Sequence, residues 1–119
     1  MGVITYSNSK ESWVVARWAF RQFLQDLSRQ HQDDIEITRK IEQAAALDGI
    51  HLELIDAVLA SKILEGIRRT ATGIHSGSIC STVVENYPDP ESQQMYHEGI
   101  SELVKLLESW SKLDNRSRQ

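Results

Sequence analysis

Only a handful of residues in this chain have types and spacings that could do chemistry. Arg69 and His75 are separated by five residues, a cation and a proton-transfer group near enough in sequence to serve one site. Cys80 is the only cysteine, and its thiol could act as a nucleophile only beside a base, for which His75 is the nearest candidate in sequence. The four histidines, His31, His51, His75 and His97, each fall near a predicted helix end. A metal could gather two of them with Glu53 or Glu98, but no pair has the three- or four-residue spacing that sets two ligands on one helix face, so no metal site is expected. Asp56 lies between Ile63 and Ile67 in helical projection, on an apolar side. An unpartnered carboxylate there would be costly, so Asp56 is expected to be a buried polar residue, paired with an arginine such as Arg17 or hydrogen-bonded to a tyrosine.

The common motif-bearing enzyme classes find no support: there is no phosphate-cradling glycine loop, paired-cysteine metal motif, HExxH or GxSxG. Arg69 and His75 at their spacing resemble the Arg-x(4 to 6)-His pattern of small all-helical nucleases of the HEPN type. The resemblance covers those two residues, with Thr70 where a polar residue often follows the arginine. It implies an arginine and a histidine acting on RNA at a dimer interface.

The elements that must position these residues read as helices. Residues 50–72 are apolar around most of a helical circumference, with Leu52, Ile55, Leu59, Ala60, Ile63, Leu64, Ile67 and Ala71 covering more than half of it. Such breadth predicts a central helix. Before it, residues 1–8 read as an irregular or extended lead-in. Asn8 and Glu11 form a capping box that would start a first helix near Ser9 and carry it to about Gln30. Its inward stripe is Trp13, Ala16, Phe20, Phe23, Leu24 and Leu27. Val14 and Trp18, one turn apart and outside that stripe, form a second apolar patch and a candidate partner interface.

An aspartate at 33 or 34 caps a second helix from about Ile35 to Leu47, and Gly49 offers a left-handed stop after it. Asp48 is suited to open the central helix, and Gly73 to end it. Residues 74–87, with Ile79, Val83 and Tyr87 at intervals of four, predict a short helix. Asp89 as cap and Pro90 as first helical residue start the last helix, whose stripe is Tyr96, Ile100, Leu103, Leu107 and Trp110. Residues 114–119 read as a disordered tail.

The sequence therefore predicts one all-α domain, a bundle of four long helices and one short helix over residues 9–113. At 119 residues the chain can bury a core without disulfide or metal. Hydrophobic residues at 40% and charged residues at 25% fit a folded, water-exposed domain, and no apolar run approaches a membrane span. The start, MGVITYSNSKE, shows no secretory pattern, and a single cysteine fits a reducing cytoplasm. A net charge of −4 with scattered basic residues argues against nucleic acid as the main partner. The expected function is that of a non-catalytic protein without cofactor that acts through protein contacts, as a homodimeric regulator or adaptor. A small RNase-like enzyme using Arg69 and His75, or a bundle binding a small ligand or metal, is the alternative.

Overall fold

The computed structural model describes residues 1–6 and 11–117, with side chains as far as Lys112. Strands β1 (Gly2–Thr5) and β2 (Trp13–Val15) lead into helices α1 (Arg17–Gln30) and α2 (Ile35–Leu47). Strand β3 (Gly49–His51) and a 3-10 turn (Leu52–Leu54) follow, then α3 (Ala57–Ser76), α4 (Val83–Asn86) and α5 (Pro90–Ser117). The structure is mostly helical, at 71%, far above the third typical of globular domains. The all-α expectation is approximately right, with a small three-stranded sheet of order β2-β1-β3 added to the helices. β1 lies antiparallel to β2, with Val3 opposite Val14 and Ile4 opposite Trp13. It runs parallel to β3, with Val3 opposite Gly49, Ile4 opposite Ile50 and Thr5 opposite His51.

The sheet moves two expected boundaries. The first helix begins at Arg17 rather than near Ser9, because Trp13, Val14 and Val15 are β-branched or aromatic and pair with β1. The capping box at Asn8 lies outside the described residues. Trp13 still reaches the core, from a strand, and its indole Nε1 donates to the Gly99 carbonyl at 2.8 Å. The central helix expected over residues 50–72 starts only at Ala57 and runs on to Ser76, with Gly77 rather than Gly73 as its left-handed cap at φ 85°. Leu52 is buried and Ile55 half-buried without belonging to it, so their spacing met the helical pattern while the backbone did not.

Asp56 is consequently not a buried polar residue. It is exposed, and its carboxylate caps α3 by accepting from the backbone N–H of Val58 at 3.2 Å and Leu59 at 3.4 Å. Helix α2 matches its expected span, and Asp34 accepts from the N–H of Ile37. The Lys62 ammonium at 2.7 Å, together with that backbone bond, holds the Asp34 carboxyl below its usual range. After α2 the left-handed position falls on Asp48, at φ 56°, and not on Gly49.

Between α3 and α4 the chain is a loop, so the short helix expected over residues 74–87 is reduced to four residues. Helix α5 opens at Pro90 as read from sequence, with Asp89 accepting from the N–H of Ser92 at 2.9 Å. Its backbone is described to Ser117, and the tail expected over residues 114–119 falls where side chains or placement lie outside the described residues. The stripe from Tyr96 to Trp110 is buried, and α5 packs chiefly along α3, which also meets α1 and α2. A helix of 28 residues spans roughly 42 Å at about 1.5 Å per residue. The molecule's long axis of 46 Å matches it. Among the described residues no helix is long and apolar enough to cross a membrane.

Two substitutions check these assignments by thermal or denaturant unfolding. Asp56→Ala is expected to cost about 1 kcal/mol, the value of a helix cap, and Asp56→Asn much less. Replacing glycine within a helix by alanine usually stabilises, but a Cβ on Gly73 would lie 2.3 Å from Ile79 Cδ1 and 2.6 Å from its Cγ1. The Ile79 backbone N–H is bonded to the Gly73 carbonyl at 3.0 Å, so the side chain has little room to retreat. Gly73→Ala is therefore expected to lower stability by about 1–2 kcal/mol.

Candidate functional site

The pleat of β1 divides its side chains between two faces. Ile4 points inward with its partners Trp13 and Ile50, all buried, while Val3 and Thr5 lie on the outer face with Val14, Gly49 and His51. On that outer face the parallel pairing sets Thr5 beside His51, and the 3-10 turn brings Glu53 over both. Thr5 Oγ1 lies 2.7 Å and 2.8 Å from the two Glu53 carboxylate oxygens and 3.0 Å from His51 Nδ1. The threonine hydroxyl donates to the carboxylate, so in the neutral imidazole Nδ1 is the protonated ring nitrogen and donates to Thr5. In that tautomer Nε2 keeps its lone pair.

His51 also stands on the wall of a cleft of about 170 Å³ between α2 and the segment from β3 to the start of α3. Ile37, Ile41, Ala44, Ile50, Ile55 and Ile63 give it an apolar interior, and Lys40 and Gln43 stand at its edge. Leu47 and Leu54 line it yet remain 76% and 80% exposed. A concave apolar surface with a few converging polar groups is the usual form of a binding site.

The second polar group is interior. Asp26 on α1 is 1% exposed. Its Oδ1 accepts from Gln22 Nε2 at 3.3 Å, the Thr82 N–H at 3.1 Å and the Thr82 hydroxyl at 3.2 Å. Its Oδ2 accepts from the Tyr96 phenol at 2.7 Å and from the Ser81 hydroxyl. Gln22 Nε2 also donates to Thr82 Oγ1 at 2.7 Å, and its carbonyl accepts from Asn86 at 2.9 Å. Asp26, Gln22, Thr82 and Tyr96 are buried while Ser81 is half-buried and Asn86 exposed, and the cluster clamps α1, the loop before α4, and α5 together. Burial first, and then the adjacent Asp26 carboxylate, push the Tyr96 phenol well above its ordinary value.

The residues singled out by sequence are dispersed. Arg69 is exposed and paired with Glu65 at 3.3 Å, and His75 is exposed near the end of α3. Six positions apart on a helix, they point about 120° away from each other, so one chain does not gather them at a site. Cys80 is exposed rather than buried. Val14 and Trp18 do not share a helix face, since Val14 is on β2 and Trp18 on α1. The Trp18 ring lies on Tyr87 from beyond α4, with centroids 4.7 Å apart, whereas Val14 is half exposed on the outer sheet face. His31 Nδ1 meets the Leu27 carbonyl at 3.0 Å, and His97 lies edge-on to Tyr96. Among the described residues no three His, Cys, Asp or Glu side chains are placed to hold a metal.

Sequence reasoning missed Thr5, His51 and Glu53 as a group, and Asp26 altogether. The signals were slight: alternation of Val3 and Thr5 over one short strand, and Gln22 with Asp26 one turn apart beside the buried stripe. No family model matches the chain, and no curated protein or solved structure matches it.

The Asp26 clamp makes a measurable prediction. Tyr96→Phe removes one donor to a buried carboxylate and is expected to cost about 1.5–3 kcal/mol. The tyrosine also sets a pH dependence. Its folded value is raised, so above the ordinary value of 10.0 the unfolded chain releases this proton while the folded chain keeps it. Fewer protons are then bound in the unfolded state, and stability falls by about 1.4 kcal/mol per pH unit from this group. Urea midpoints measured between pH 9 and 11, on a wild-type and Tyr96→Phe pair, are expected to converge as pH rises (the range is approximate, about one unit either side of the free phenol).

Proposed function

We propose that this is a non-catalytic protein that acts through protein contacts, as a homodimeric regulator or adaptor, and that the contact is made by the outer sheet face and the adjoining cleft. One observation carries the reading: the β3 edge of the sheet carries both an apolar hollow and exposed leucines beside it. Val14, Val3 and Gly49 form a row across the three strands, leading to the cleft with Leu47 and Leu54 standing out beside it. A two-fold contact must be self-complementary, and a patch bearing an apolar hollow next to exposed leucines meets that condition with a second copy of itself. Isolated exposed leucines need no explanation, but several around one apolar hollow mark an interaction surface. The exposed thiol of Cys80 suits a reducing, cytoplasmic setting.

Arg69 and His75 would require a facing copy to meet, and nothing else in their surroundings favours the nuclease reading. Of the interface residues read from sequence, Val14 belongs to the proposed face, while Trp18 is engaged by Tyr87.

Light scattering after size exclusion is expected to give twice the chain mass of 13.6 kDa for the wild type. Leu54→Glu combined with Val14→Asp is expected to give a monomer with unchanged helical circular dichroism. A wild type that stays monomeric at every concentration would refute the homodimer, and a double variant that stays dimeric would place the contact elsewhere.

A further inference from the structure

We infer that the cleft beside His51 is a binding site for a small neutral hydroxyl compound of the phenol class, with one ring among the isoleucines and the hydroxyl donating to His51 Nε2. The inference shares its location with the proposed self-contact, with which the ligand would compete for the hollow, and does not depend on it.

Three observations specify the ligand. The cleft volume of about 170 Å³ is close to the roughly 150 Å³ of an apolar cavity known to accept benzene, so it suits a single six-membered ring. Its walls of Ile37, Ile41, Ala44, Ile50, Ile55 and Ile63 offer that ring no polar partner, which leaves the polar end of the ligand at the mouth. At the mouth the neutral imidazole sets the hydrogen-bonding polarity. Thr5 donates to Glu53 and accepts from His51 Nδ1, which makes Nε2 an acceptor in that tautomer. Orientation of an imidazole by a carboxylate through its other nitrogen is the arrangement by which proteins set a histidine's tautomer.

The glycine at position 49 gives that acceptor room. A Cβ there would come within 3.1 Å of His51 Nε2 and 3.0 Å of Val3 Cγ1, so the bare Cα leaves space beside that nitrogen, and both Gly49 and His51 line the cleft. The head group follows from the same geometry. A carboxylate would bring lone pairs to a lone pair, with the Glu53 carboxylate behind it. An ammonium would have to leave water at the edge of an apolar cleft where Lys40 already stands. A neutral hydroxyl satisfies Nε2 without either penalty.

The test uses the full chain and phenol, with toluene, benzoate and benzylamine as comparators, followed by protein NMR at about pH 8, above the free imidazole range. Phenol is expected to shift the resonances of Ile41, Ile50, Ile63 and His51 together. The phenol-to-toluene affinity ratio is expected to fall about three- to tenfold in His51→Leu, the worth of one neutral hydrogen bond. Benzoate and benzylamine are expected to bind more weakly than phenol. The imidazole nitrogens of the unliganded wild type are expected to show the proton on Nδ1, with Thr5→Val losing that preference. Measuring phenol also on Val14→Asp, which keeps the cleft residues and is itself expected to be monomeric by light scattering, separates a failed ligand site from a failed dimer. The inference is overturned if phenol leaves those resonances unmoved in both proteins. An affinity ratio unchanged by His51→Leu, tighter binding of benzoate, or the His51 proton on Nε2 would each overturn it as well.

Discussion

A carboxylate removed from water must collect donors, and much of this molecule is arranged by the donors that Asp26 collects. They come from three separate parts of the chain: Gln22 one turn back on α1, Ser81 and Thr82 in the loop before α4, and Tyr96 on α5. Because an unpaired member of such a set would carry the full cost of desolvation, the three segments are held in register with one another more tightly than apolar contact alone requires. The loop from Gly77 to Thr82 has no ladder of its own. The bonds to Asp26, with the Ile79 N–H on the Gly73 carbonyl, give it a fixed course. Val83, which follows directly, is then placed in the core with no exposure.

The parts of the fold that were legible in the sequence are those set by local chemistry. Helix α2 matches because Asp34 caps it, and α5 opens where Asp89 and Pro90 say it should, with its stripe of Tyr96, Ile100, Leu103, Leu107 and Trp110 inside. What was not legible depended on pairing between distant residues. Trp13 and Phe20, seven apart, fit one helical face, yet Trp13 reaches the core from a strand because β1 is there to pair with it. The partners expected for a buried Asp56 both exist in the molecule, but on other aspartates. Arg17 bonds Asp48 at 3.0 Å and a tyrosine bonds Asp26, while Asp56 caps the helix whose interior it was expected to join. The pair made by Arg17 lies at the surface, so the expectation of a core partner for Asp56 failed in place and, for the arginine, in kind.

The candidate site was hidden for the same reason. Thr5 and His51 are 46 residues apart and meet only through parallel pairing of two short strands, a contact that needs the whole β2, α1 and α2 crossover between them. The motif searches that eliminated common enzyme classes look for ligands close in sequence, and a group assembled across a sheet has no such signature. The HEPN-like pair Arg69 and His75 shows the converse: residues close in sequence, on one helix, that the helix itself turns about 120° apart.

Where the chain places its glycine after α2 shows which constraint dominates there. The left-handed turn that ends the helix would be least strained with glycine at 48, but the chain has Asp48 there at φ 56° and glycine one residue later. Aspartate is among the few side chains that tolerate this conformation, and Arg17 at 3.0 Å and Arg21 at 3.9 Å flank its carboxylate, tying the end of α2 to α1. Position 49 is tight in a different way. A Cβ would press at once on Val3 Cγ1, the Val3 carbonyl and His51 Nε2, so a side chain there would push β3 from β1 or close over the imidazole. The turn can be made by a residue with a hydrogen-bonding side chain, whereas the close approach of β3 to β1 beside His51 is easiest for a residue without a side chain.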